Sequence, residues 1–197
     1  FTAPVVDSTL LKIGQVLIAS ANSNPITMGI ILGGIITVVA TAPLSSMALT
    51  AMLGLTGAPM AIGALSVFGS SFLNFVLFQK MKFGSKKDTI SVAIEPLTQA
   101  DIITANPIPI YVTNFIGGAL CGIIIVLMGL TNMSPGTATP LAGFAVMFAY
   151  NPAFKVLMAS LACVVVSAGS GYLGYLLFKN YKIHTVDEIR GNDLEVE

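Results

Sequence analysis

Two carboxylates stand out by their position. Glu95 and Asp101 are the only acids between Asp88 and the C-terminal tail, in the semi-polar run Ser91-Val-Ala-Ile-Glu-Pro-Leu-Thr-Gln-Ala-Asp101. A carboxylate accepts two or more hydrogen bonds, and a glutamine both donates and accepts. Pro96 suits the first turn of a helix. Gln99, four residues past Glu95, is then expected on the same face, with Thr98 and Asp101 at neighbouring positions. Together with Asn106 and Asn114 further on, this set suits a polyhydroxyl solute or a bound cation. Two alternatives leave the acids without a ligand. They are solvated on an interfacial helix, or Lys12, which stands with Gln15 in a corresponding earlier stretch, pairs with one of them and makes it structural.

Other chemistry is sparse. There is no nucleophile–base pair, no phosphate-cradling loop and no metal-ligand spacing, so the chain is not expected to be an enzyme or to carry a cofactor. Cys121 and Cys163 fall inside apolar runs and read as buried reduced thiols. His184 lies in the polar tail and reads as solvated. A net charge of zero provides no field to attract nucleic acid.

The elements that must position these residues are apolar helices. Of 197 residues, 55% are hydrophobic and 9% charged, where a soluble domain carries roughly a quarter charged. No charge occurs between Lys12 and Lys80, between Asp101 and Lys155, or between Lys155 and Lys179. A soluble core helix shows a polar face every turn, and these runs do not. Runs of about 20 apolar residues cross ~30 Å of hydrocarbon. The chain is therefore predicted to be all-α, a polytopic transmembrane bundle of about four crossings. The predicted spans are 26–53 (interrupted at Pro43), 58–78, 108–130 and 154–178. Residues 1–23 read as an amphipathic N-terminal helix, 24–178 as the transmembrane domain and 179–197 as a polar tail. Phe1 is preceded by no initiator methionine, no signal peptide is recognisable, and the chain reads as part of a longer protein.

Lys80, Lys82, Lys86 and Lys87 cluster in the loop 79–90, and Lys179 and Lys182 open the tail. The positive-inside rule makes both cytoplasmic. Span 58–78 then exits inward, 108–130 runs outward and 154–178 returns. Segment 91–106 begins and ends on the cytoplasmic side. Segment 140–150, too short to cross, begins and ends outside. Both are expected to be re-entrant or interfacial.

The chain also repeats itself. Asn24-Pro-Ile recurs as Asn106-Pro-Ile, Gly33-Gly as Gly117-Gly, and Thr56-Gly-Ala-Pro59 as Thr137-Ala-Thr-Pro140, at a nearly constant offset. The charge-based orientation makes this a parallel repeat, about 24–78 and 91–178. Repeats and broken helices are features of secondary transporters. The small-residue pairs Gly29/Gly33, Gly118/Gly122 and Ser167/Gly171 are expected to let helices approach closely.

Ala93-Ile-Glu-Pro-Leu-Thr-Gln-Ala-Asp101, followed by Asn106-Pro-Ile108, resembles the membrane-embedded IIC components of the bacterial phosphotransferase system, in particular their second IIC-type family. The stretches Gly54–Gly69 and Thr137–Tyr150 share this character, and the likeness extends over most of residues 24–178. The resemblance implies a multi-pass protein of the bacterial cell membrane, usually a homodimer. It implies a sugar moved inward while a cytoplasmic IIB partner phosphorylates it. In such relatives the Glu of a similar Glu-Pro motif contacts sugar hydroxyls, a role that transfers to Glu95 alone. The chain departs from the pattern in being shorter than a complete IIC domain, in having no membrane histidine and in carrying no IIB module. Two other readings stand beside this one. One is a non-transporting protein that binds a fatty acid or lipid. The other is a cation-coupled transporter using Glu95 and Asp101.

Overall fold

The structure is a computed structural model describing residues 3–191. Among these residues it is all-α: ten α-helices, two short 3₁₀ turns, and no strand beyond an isolated bridge between Gly57 and Asn132. The helices are α1 (Ala3–Ala21), α2 (Pro25–Thr41), α3 (Ser46–Met52), α4 (Ala58–Met81), α5 (Lys86–Ile94), α6 (Ala100–Ala105), α7 (Pro107–Leu127), α8 (Pro140–Val146), α9 (Ala153–Phe178) and α10 (Val186–Gly191). The expected tail residues 192–197 and the first two residues lie outside the described part.

Local chemistry sets the boundaries. Asn24 caps α2 by accepting from the Thr27 N–H at 3.0 Å, with Pro25 at the first helical position. Pro43 ends α2 rather than kinking it: the residue before a proline is pushed out of the helical region, and Ala42 is extended at φ −67°, ψ 161°. Ser45 then caps α3 through the Ala48 N–H at 3.1 Å. Helix α4 starts after Gly57, whose φ of 70° suits glycine, and stops at Lys82 in the left-handed region.

Helices α4, α7 and α9 are long and apolar enough to cross a membrane. Helix α2 is apolar but has only 17 residues. At 1.5 Å per residue it rises about 25 Å. The expected span 26–53, interrupted at Pro43, is thus a short helix followed by a return.

Contacts between helices fix their directions. Gly29 lies against Gly122, Gly33 against Gly118, and Thr37 donates to the Asn114 carbonyl at 2.9 Å. Numbers rise along α2 as they fall along α7, so the two are antiparallel. Helix α4 meets α7 in the same sense, Gly69 near Cys121 and Asn74 bonded to Asn114. Helices α4 and α9 run together, Gly69 against Ser167 and Leu73 against Gly171. The parallel repeat expected from the sequence is corrected here, because the helices opened by the two Asn-Pro pairs point opposite ways. The cause is the break at Pro43. Helix α3 carries the chain back along the irregular backbone of residues 136–138, with the Ser46 hydroxyl bonded to the Ala138 carbonyl at 2.8 Å and Gly136 against Ala51. Helix α4 therefore sets out from the end where α2 began.

Between lipid-like surfaces there is little hydrophobic drive for helices to associate, so close packing and buried hydrogen bonds must do it. The α2–α7 crossing has both. A methyl added at Gly33 would meet the Gly118 carbonyl, and one at Gly122 the Gly29 carbonyl. Beside it, Thr41 donates to Asn114 Oδ1 at 3.2 Å and Asn114 Nδ2 donates to Asn74 Oδ1 at 2.7 Å, joining α2, α7 and α4.

Candidate functional site

Two segments leave the helix ends and turn back toward the bundle. The first is α5, a 3₁₀ turn (Pro96–Gln99) and α6. Its base is built by Ser85, whose hydroxyl accepts from the Asp88 N–H while Asp88 Oδ2 accepts from the Ser85 N–H at 2.8 Å, a reciprocal helix cap. The second runs from Thr131 to Asn151. Asn151 closes it by accepting from the Thr131 N–H at 3.0 Å and donating to the Thr131 carbonyl at 2.7 Å, and Asn132 pairs with the Gly57 backbone. The tips of the two segments, Glu95–Leu97 and Ala138–Pro140, meet the α2–α3 link beside Val67 of α4. They enclose a cavity of about 120 Å³ with Ser45 and Met47 on its wall.

Glu95 sits at the first tip because Pro96 stops α5. Its backbone is extended at φ −148°, ψ 102°. Its side chain is exposed, and its carboxylate makes no hydrogen bond or ion pair among the described residues. The expected shared face with Gln99 does not form. Pro96–Gln99 is a four-residue 3₁₀ turn, with three residues per turn, so the residue three positions on, not four, comes back to Glu95. That residue is Thr98, which donates to the Glu95 carbonyl at 2.7 Å. Gln99 points away and is buried.

Gln99 and Asp101 meet a residue the sequence analysis did not single out. Arg190, the sole arginine, reaches from α10 onto the first segment. Its Nε donates to Asp101 Oδ2 at 2.8 Å, its Nη1 to Asp88 Oδ1 at 2.9 Å and its Nη2 to Gln99 Oε1 at 3.0 Å. The partner of Asp101 is thus Arg190 and not Lys12. The Arg190 hydrogen bond holds the Asp101 carboxyl below its ordinary range, outweighing partial burial. Burial alone would raise Asp88, but hydrogen bonds from Ser85 and Arg190 bring it down on balance. The same contacts, Asp101 first, push Arg190 up.

Asn106 serves the tail as well. Its Oδ1 accepts from the His184 N–H at 2.8 Å, and its Nδ2 donates to the His184 carbonyl at 2.8 Å. The His184 side chain itself is half exposed. Asn114 is enclosed in the core network and does not reach the cavity. Of the six expected residues, only Glu95 lines the cavity. The residues that sequence reasoning missed there are Ser45, Met47, Thr139 and Pro140. The repeated Thr-x-x-Pro motif, Thr137 to Pro140, contains the last two, but it is read in the sequence only as a sign of repetition. Cys121 and Cys163 are free and buried, with Cys121 Sγ 3.1 Å from the Ser167 hydroxyl.

No curated protein and no solved structure matches the chain. Over residues 1–194 the sequence matches the profile described as phosphotransferase system, EIIC, and with its bundle of apolar helices the chain belongs to that family, the membrane permease component of the system.

Proposed function

We propose that this membrane transporter component binds a small polar solute, a sugar by its chemistry, where the two tips meet, with Glu95 as the anchor. The carrying observation is that Glu95, whose carboxylate has no partner among the described residues, lines the same cavity as the hydroxyl-bearing Ser45 and Thr139. Both hydroxyls accept from helix N-termini, Ser45 from Ala48 and Thr139 from Gly143, which leaves each O–H able to donate to a solute. A carboxylate with flanking hydroxyls suits a polyol. The cavity, at about 120 Å³, is small beside the ~300–1,000 Å³ of usual ligand pockets, so entry of a sugar ring requires the tips to part. On this reading both segments are re-entrant and the basic loop and tail are cytoplasmic in a bacterial cell membrane. Any phosphorylation belongs to a cytoplasmic IIB partner, and the working unit is a homodimer. The test is the melting temperature of the purified chain against a panel of sugars. One sugar is expected to raise it, and Glu95→Gln to abolish that rise. A rise of the same size in Glu95→Gln removes the site assignment.

A second reading has its own observation. Between α1 and α3 lies an apolar cavity of about 590 Å³, lined by Leu11, Ile18, Leu49 and Met52 with Gln15 at its wall. It suits a fatty acyl chain. Native mass spectrometry that finds lipid retained, with no sugar shifting the melting curve, favours this reading over the first. The cation-coupled reading needs two available carboxylates, and Asp101 is already held by Arg190.

A further inference from the structure

The first segment is held at its base by something outside the bundle. It packs on α4 and α7 through Val92, Ile102 and Ile103, buried with Leu73, Leu77, Phe78 and Ile110, and its tip meets the α2–α3 link. At the base, chain 183–190 lies across it like a clasp. The Val186 N–H donates to the Phe83 carbonyl at 2.8 Å, the His184 backbone is bonded twice to Asn106, and Ile183, Val186 and Ile189 pack on the cluster of Phe83, Val92, Ile102 and Ile103. Arg190 closes the clasp. Its planar fork binds α5 through Asp88, the 3₁₀ turn through Gln99 and α6 through Asp101. A guanidinium can satisfy three acceptors in fixed geometry at once, and a lysine ammonium cannot hold the same arrangement.

We propose that Arg190 is a positioning residue for the Glu95 tip. By tying α5, the turn and α6 into one unit, it sets how far Glu95 reaches toward Ser45 and Thr139. The movement of the tips that solute entry requires is then governed from the C-terminal clasp. The functional meaning rests on the solute reading above; the mechanical claim does not.

The experiment is hydrogen–deuterium exchange of the full chain in detergent, wild type against Arg190→Gln and Arg190→Lys, with melting temperature and sugar affinity read in parallel. Partly exposed ion pairs are individually weak and gain from networks, and local opening follows the energy of the contacts that close it. Arg190→Gln is therefore expected to raise exchange across 86–105 about five- to tenfold and to weaken sugar binding. Exchange in α4, α7 and α9 and the melting temperature should stay unchanged, and Arg190→Lys should fall between. Unchanged exchange at 86–105 overturns the proposal. So does a rise shared by α4, α7 and α9, which would make Arg190 a general stabiliser. Glu95→Gln leaves the clasp intact, so failure of the solute reading shows in that variant's binding alone, and failure of the clasp shows in the exchange.

Discussion

Gly33→Ala tests the antiparallel α2–α7 crossing most directly. The added methyl would sit on the Gly118 carbonyl, with Gly122 Cα 3.2 Å away, and backbone on both sides leaves no flexible side chain to yield. Overpacking of this kind costs about 1–3 kcal/mol. Separating the helices also stretches two bonds from α2, Thr37 to the Asn114 carbonyl and Thr41 to Asn114 Oδ1, each worth about 0.6 kcal/mol in a membrane interior. Against this, alanine favours a helix over glycine by about 1 kcal/mol. The net expected loss is about 1–3 kcal/mol. Gly169 supplies the control, since nothing lies within 4 Å of a methyl placed there. Gly169→Ala should keep the helix gain and lose nothing. Reversible unfolding in mixed detergent micelles, followed by circular dichroism, should separate the two variants by about 2–4 kcal/mol. If Gly33→Ala is as stable as Gly169→Ala, the helices do not cross at these glycines and the antiparallel assignment falls with them.

Asn114→Ala is expected to cost about 1–3 kcal/mol in the same assay, because it leaves the buried Asn74 Oδ1 without its donor and removes one of the two acceptors of the Thr41 hydroxyl, the other being the Thr37 carbonyl; a loss below that of an exposed Thr104→Ala would refute the network. Asp88 and Asp101 both have carboxyls lowered in the docked state. Their contribution to docking is therefore fully present above the free carboxyl pKa, near ~4, and is lost as pH falls through their lower docked values. The clasp should stay closed from neutral pH down to about 4 and release below it. Because Arg190 is the sole arginine, ¹⁵N-arginine labelling gives a single side-chain signal for this titration, and a release midpoint near neutrality would contradict the assignment.

Much of the fold could be read from the charge-free runs and their punctuation. The caps at Asn24 and Ser45 and the proline stops at Pro43 and Pro96 act locally, so they are visible in sequence. Direction was harder. Whether a break like Pro43 kinks a span or reverses it depends on what α3 can pack against, here the backbone at 136–138, distant in sequence. The site shows the same division. Glu95, the one expected residue that lines the cavity, stands out in sequence by its rarity and its Glu-Pro setting. Gln99 was misjudged because helical spacing was assumed where the chain makes a tighter turn. The partner of Asp101 is not legible in sequence because it lies 89 residues away in the polar tail. No periodic or local signal connects Arg190 with it.

The shortness of α2 has a consequence for the surrounding bilayer. A rise of about 25 Å in a hydrocarbon layer of ~30 Å leaves a shortfall of several ångströms. Each ångström of such mismatch costs a fraction of a kcal/mol. Lipids beside Ile26 and Ile30, the outward side chains of α2, must compress to follow it, and the neighbouring α7 cannot shift to help because its glycines lock it in place. The energy of the whole bundle is thus coupled to acyl chain length on one flank. Thin-bilayer lipids should be enriched there.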